Sequence, residues 1–160
     1  MTTVLMVDDD ENCTELWTRM LDGLRAQFIF ARTIEEALVR MAEIPPPDLV
    51  LLDLKVPPFT ADETLLAINA FRQFNSNLGV IAISGMKLEE IMRAIETAGV
   101  IVQGAISKDD AISQSRLLGV VQSCLARSGN YRETMDVLER ASGAIEKKRT
   151  DRIELPPDNR

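Results

Sequence analysis

Short apolar runs alternate with stretches of helical period along this chain. The densest run is Leu49-Val50-Leu51-Leu52-Asp53-Leu54, five apolar residues around one aspartate, with Asp48 before them. A run so short and so apolar predicts a strand buried on both faces, as in parallel sheets. Val4-Leu5-Met6-Val7, Phe28-Ile29-Phe30 and Gly79-Val80-Ile81-Ala82-Ile83 read as further strands, and a weaker fifth lies within Val100 to Ile106. A helix is expected from roughly Cys13 to Ala26, with Leu16, Met20 and Leu24 on one face and Trp17 and Leu21 beside them. Thr33-Ile34-Glu35-Glu36 and Thr60-Ala61-Asp62-Glu63 are capping boxes that open helices running to about Glu43 and Phe74. Leu88 to Ala98 is helical, closed by Gly99. Asp109 or Asp110 starts the last helix of the domain, which ends near Ser128-Gly129. Pro45-Pro46-Pro47 is a stiff connector and Lys55-Val56-Pro57-Pro58-Phe59 a loop.

Five strand–helix alternations predict an α/β fold, a doubly wound five-stranded parallel sheet with helices on both faces. Right-handed crossovers then set every strand's carboxyl end along one edge. At that edge stand Asp8, Asp9 and Asp10, then Arg32 and Thr33, then Asp53, Ser84 and Lys108. Open α/β sheets place their ligand sites there.

Composition narrows the chemistry. At 160 residues the chain is one domain with an appendage, and a net charge of -7 argues against nonspecific binding to nucleic acid or anionic membrane. No apolar run approaches membrane-spanning length, and the N-terminus is too short and wrongly charged for a signal peptide. Cys13 and Cys124 form no motif and read as reduced thiols of a cytoplasmic protein. The chain has no histidine, which removes His-based triads, His metal sites and any phosphohistidine of its own. Its chemistry must rest on carboxylates, hydroxyls, lysine and a bound cation.

Adjacent carboxylates at a strand end repel unless a cation sits between them. Mg²⁺ is held by one or two carboxylates, waters and a phosphate oxygen, and Asp8, Asp9 and Asp53 could supply such a site. The ordinary alternative for the Asp8-Asp9-Asp10 run is a solvated helix start, because acids suit helix N-termini. Asp53 is either a third metal ligand or a nucleophile that forms an acyl phosphate. Ser84 alone would be a turn or capping serine, and Lys108 alone a surface lysine. Facing three acids, Lys108 can neutralise charge and pair with a phosphoryl group. The set suits phosphoryl transfer, which asks mainly for positioning and charge neutralisation.

Val7-Asp8-Asp9-Asp10, Pro47 to Leu54, Pro57, Ser84 and Lys108 together resemble the receiver domain of two-component response regulators, over about residues 3 to 127. The resemblance implies a flavodoxin-like strand order 2-1-3-4-5 and phosphorylation of Asp53 by a histidine kinase or phosphotransfer protein. It implies Asp9 as a direct Mg²⁺ ligand, Asp8 as a ligand through water, the Lys55 backbone carbonyl as a further ligand, and Asp10 outside the first shell. It also implies a role for Lys55 and Met86 in tuning dephosphorylation. The sequence departs from the family pattern at several points. Asp109 stands where the family has a cis-joined proline after the lysine, and Ala105 where it has an aromatic switch residue. Val100-Ile101-Val102-Gln103 resembles an insertion, and Pro57-Pro58 replaces a common Pro-Gly.

The leading reading is a phosphorylatable receiver, at most promoting its own phosphorylation and dephosphorylation. The runner-up is a pseudo-receiver, a protein-interaction module that does not switch. A Mg²⁺-dependent aspartyl phosphatase would want an acid two residues after Asp53, where Lys55 stands. A flavodoxin would want a hydroxyl- and glycine-rich loop after the first strand, where the aspartates stand.

Residues 1–128 form the expected domain; 129–160 are a helical extension and flexible end, too short for an ordinary DNA-binding output domain. Tyr131, Met135, Leu138, Ser142 and Ile145 are helically spaced, in phase with Leu117, Val121, Cys124 and Ser128. That stripe suits either docking on the domain or a homodimer. Gly129-Asn130 interrupts it, Lys147-Lys148-Arg149 reads as a solvated helix end, and Pro156-Pro157 belongs to a flexible terminus.

Overall fold

The computed structural model describes residues 1–111, 116–127, 140 and 143. The chain divides into two units, Met1–Ser128 and Gly129–Arg160; every element below belongs to the first. The expected stripe from Tyr131 to Ile145, the basic cluster at 147–149 and Pro156-Pro157 lie outside the described residues.

The elements run β1 (Thr2–Val7), α1 (Glu11–Met20), β2 (Ala26–Ala31), α2 (Ile34–Met41), β3 (Leu49–Asp53), α3 (Ala61–Phe74), β4 (Gly79–Ser84), α4 (Leu88–Ala98), β5 (Gly104–Ser107) and α5 (Lys108–Ala111). Residues 116–127 are helical again. The strands form one parallel sheet in the order β2-β1-β3-β4-β5. This is the doubly wound sheet expected from the alternation, in the flavodoxin-like order that the resemblance implies.

The period of two along each strand divides the core into two layers. Val50 and Leu52 join Leu5, Val7, Val80 and Ala82 under α2, α3 and α4. Leu49 and Leu51 join Val4, Met6, Ile81, Ile83 and Ile106 under α1 and the helix at 116–127. Leu117, Val121 and Cys124 are buried in this second layer. Their stripe is therefore used within the domain, and a homodimer through that helix would have to use its other faces.

Caps explain where the helices sit. Thr60 and Glu63 complete their capping box on α3. Thr33 caps α2, but the Glu36 carboxylate accepts from the Arg32 N–H instead of closing the box on Thr33. Gly99 closes α4 at φ 66°, a left-handed conformation that costs glycine nothing. The first helix differs from expectation at both ends. The Asp10 side chain accepts from the Asn12 N–H and starts α1 at Glu11, and the helix stops at Met20 before Asp22-Gly23. Residues assigned to its C-terminal end join β2, where Thr2 pairs with Ala26 through to Val7 with Ala31. Leu16 is 39% exposed, while Trp17 and Leu21 face the core.

The segment before β5, which by sequence resembles an insertion, has a structural task. The Gln103 N–H donates to the Val80 carbonyl at 2.8 Å, and the Gln103 side-chain carbonyl accepts the Val80 N–H at 2.7 Å. The side chain thus takes the place of a strand carbonyl, and the regular ladder starts at Gly104 beside Ile81. Arg72 of α3 donates to the same oxygen at 3.3 Å.

Two outcomes follow from this packing. Replacing Gln103 by alanine leaves the Val80 N–H without its partner. Urea unfolding should show a loss of about 1–3 kcal/mol, and a loss within error would mean that water replaces the side chain. A Cβ at Gly79 would lie 2.8 Å from the Cys124 Sγ and 3.0 Å from the Leu49 Cδ1. Gly79→Ala should destabilise by roughly 1–3 kcal/mol, and combining it with Cys124→Ala should cost less than the two changes summed.

Candidate functional site

The carboxyl ends of β1, β3, β4 and β5 lie side by side, because the sheet is parallel and β1, β3, β4 and β5 are neighbours in it. β1 delivers Asp8 and Asp9 there. The Asp8 N–H is held by the Ala31 carbonyl at 3.1 Å, which continues the ladder one residue past the strand. The Asp8 Oδ1 accepts the Asp10 N–H at 2.9 Å. β3 ends on Asp53, paired with Ile83, and its Oδ1 accepts the Lys55 N–H at 3.0 Å. β5 ends at Ser107, and Lys108 reaches back across the edge. Its Nζ donates to the Asp8 Oδ2 at 3.0 Å and to the Asp53 Oδ2 at 3.1 Å, and lies 3.7 Å from the Cys13 Sγ.

Asp8 and Asp53 are each 3% exposed. Taking a carboxylate out of water costs several kcal/mol unless it is paired, and here one ammonium serves two buried acids. The result shows in the titration of Asp8 and of Lys108. Burial, and secondarily the negative charge of Asp53, hold the Asp8 carboxyl above its ordinary range despite its bonds from Asp10 and Lys108. Burial alone would lower the Lys108 pKa; its bond to Asp8 and the charges of Asp53 and Asp8 overcome that and raise it. Lys108 therefore remains an ammonium, and the cluster still carries a surplus of negative charge.

That surplus tests whether the residues fit a cation. Asp8, Asp9 and Asp53 each offer a carboxylate oxygen, all within 4.8 Å of one another, with Asp9 exposed and the other two buried. Like charges at this spacing repel by on the order of 3–4 kcal/mol per pair at an effective dielectric near 20. An all-oxygen donor set with one open, exposed side suits a hard divalent ion that keeps some of its waters. The three acids fit Mg²⁺ on charge, donor type and spacing.

Other edge residues take different roles. The Asp10 carboxylate caps α1 and accepts the Asn12 N–H at 2.9 Å. Arg32 pairs with Glu11 across an exposed surface, and Thr33 caps α2, so neither joins the acid cluster. Ser84 is fully buried; its hydroxyl oxygen accepts the Met86 N–H at 3.2 Å and is no part of the bonds linking Asp8, Asp53 and Lys108. With Asp109 after it in place of proline, Lys108 spans both acids. Ala105 packs half-buried against the α2–α4 core layer.

Sequence reasoning missed Cys13. Its Sγ lies 3.5 Å from the Asp10 Oδ2 as well as 3.7 Å from the Lys108 Nζ. Burial raises its thiol pKa against the opposing charge of Lys108. The available signal was its place three residues after a capping aspartate, which sets it on the first turn facing that cap.

No family model matches the sequence, and no curated protein matches it. Solved structures do match the fold. The CheY-like response regulator receiver domain protein from Methanospirillum hungatei is 21% identical, with a TM-score of 0.67 over 82% of this chain and 98% of that one. The signal receiver domain of an HD domain-containing protein from Pseudomonas fluorescens is 22% identical, with a TM-score of 0.69 over 82% and 92% of the two chains. The fold of this chain is that of response regulator receiver domains.

The Asp8 shift has a testable sign. A carboxyl whose pKa is raised by folding contributes stability below its unfolded value and loses it as pH climbs through the folded value. The Lys108 contribution is constant across that window, because it is lost only above its unfolded value of about 10.4. Metal-free Asp8→Asn should therefore melt a few degrees above wild type at neutral pH, with the gap closing towards about pH 4. Melting followed by the fluorescence of Trp17, the only tryptophan, reads this directly. An Asn variant that melts lower at neutral pH would mean that the ion pair to Lys108 outweighs burial.

Proposed function

We propose that the chain is a response regulator receiver: a Mg²⁺-dependent phosphoryl acceptor at Asp53 that takes its phosphoryl group from a histidine kinase or phosphotransfer protein. The observation that carries this reading is the Lys108 ammonium bridging Asp8 and Asp53 beside a three-carboxylate cluster. The absence of histidine accords with a donor on another protein.

The residues divide the work as follows. A carboxylate oxygen of Asp53 attacks phosphorus, the bond from phosphorus to the donor nitrogen breaks, and the imidazole leaves with its electron pair. Asp8, Asp9, Asp53 and the Lys55 backbone carbonyl would hold Mg²⁺, which supplies neutralisation of the phosphoryl oxygens. Lys108 is already within hydrogen-bond reach of the acceptor carboxylate and takes up the remaining charge. Ser84 would exchange its bond from Met86 for one to a phosphoryl oxygen, moving the start of the β4–α4 connection. Such an exchange biases a two-state element, and its output is a change of protein partner or of self-association.

In this proposal residues 1–128 are the receiver and 129–160 a helical extension, and the protein works in the cytoplasm without binding nucleic acid or membrane. Among the described residues no helix is long and apolar enough to cross a membrane. The second reading, a pseudo-receiver that does not switch, is favoured by Ala105 in place of an aromatic and by the segment that Gln103 pins to β4.

Intact mass separates the two. Incubation with a small acyl phosphate and Mg²⁺ should add about 80 Da, one phosphoryl group, to wild type and nothing to Asp53→Asn. Lys108→Ala should slow the gain by roughly 10- to 100-fold. No gain and no Mg²⁺ binding in wild type would sink the acceptor reading and leave the pseudo-receiver.

A further inference from the structure

An ammonium has three N–H bonds, and that of Lys108 has three acceptors around it. Two are the Oδ2 atoms of Asp8 and Asp53, at 3.0 and 3.1 Å. The third is the Cys13 Sγ at 3.7 Å, a long but acceptable contact to sulfur. The two oxygens belong to carboxylates that a hard cation would also claim. Sulfur is different: a neutral thiol is a poor ligand for such an ion. Of the three contacts, the thiol alone is free of that competition.

The thiol is also oriented. It donates to the Asp10 Oδ2 at 3.5 Å, while the other Asp10 oxygen accepts the Asn12 N–H at 2.9 Å and caps α1. The S–H is thereby directed at the helix cap and the sulfur lone pairs are left for Lys108. A chain of bonds runs from the first turn of α1, through Asp10 and Cys13, to the lysine that follows β5.

We infer that Cys13 is a positioning residue for Lys108, holding the ammonium over the acid cluster when the carboxylates of Asp8 and Asp53 also serve a cation. Its consequence for phosphoryl transfer rests on the acceptor reading above; its geometry does not.

The test uses the full chain with lysine labelled at Nζ with ¹⁵N. The Lys108 ammonium signal is assigned by its loss in Lys108→Arg, and its proton exchange with water is measured with and without Mg²⁺. Cys13→Ala should raise that exchange rate roughly fivefold, more with Mg²⁺ than without, and slow phosphorylation by acyl phosphate by a similar factor. Alanine suits a helix, so the fold should be kept. Cys13→Ser retains a donor and an acceptor and should restore both readouts, which a packing role for the sulfur would not do. Exchange unchanged in Cys13→Ala, with wild type still phosphorylated, overturns the positioning role and leaves the acceptor reading standing. Exchange that depends on Cys13 in a wild type that takes no phosphoryl group and binds no Mg²⁺ supports the positioning role and overturns the acceptor reading.

Discussion

Lys108 holds the carboxyl edge of the sheet together. Its ammonium ties the residue after β5 to the residue after β1 and to the last residue of β3. Without it, two carboxylates that are each 3% exposed would face one another with only backbone N–H groups for company. Each buried acid costs several kcal/mol when unpaired. The apolar part of β3 is what lets the fold carry that cost. Leu49, Val50, Leu51 and Leu52 are almost wholly buried, and burying each side chain stabilises by roughly 2 kcal/mol. The acids sit at the tip of the strand, not within it, and disturb none of that packing.

One lysine between two buried acids is an incomplete neutralisation, and that gives the site its chemical character. Burial first, and then the charge of Asp53, raises the Asp8 pKa, and the exposed Asp9 beside it adds to the surplus of negative charge. A site in this condition gains from any added positive charge and from any group that spreads negative charge away from the acids. Asp10, by contrast, serves as a helix cap. The helix start explains one acid of the Asp8-Asp9-Asp10 run and leaves two for the site.

The departures from the receiver pattern are absorbed away from this edge. Gln103 replaces a strand carbonyl with its own side chain, so the segment before β5 stays attached to β4. Gly79 and Gly104 let the helix at 116–127 lie close to the sheet, where a Cβ would meet Cys124 or Val120 within 3 Å. Lys108 is thus delivered to the edge although neither the proline nor the aromatic of the family pattern is present.

By itself the sequence determined the parallel sheet, β3, β4, α3 and α4, because the run of buried residues, the Thr60 box and Gly99 act over a few neighbouring positions. It also brought Asp8, Asp53, Ser84 and Lys108 to one edge, because strand–helix alternation makes the sheet parallel and parallel strands end on the same side. Only the tertiary structure decided the rest. The full length of β2 depends on pairing with β1, since this edge strand is half-exposed and weak in local pattern. Which acids Lys108 grips, that Ser84 is held by Met86, that Cys13 touches the lysine and that Gln103 completes β4 depend on side-chain reach. Most of these contacts join residues far apart in the chain, Lys108 and Asp8 by 100 positions, and no local pattern encodes a contact of that range.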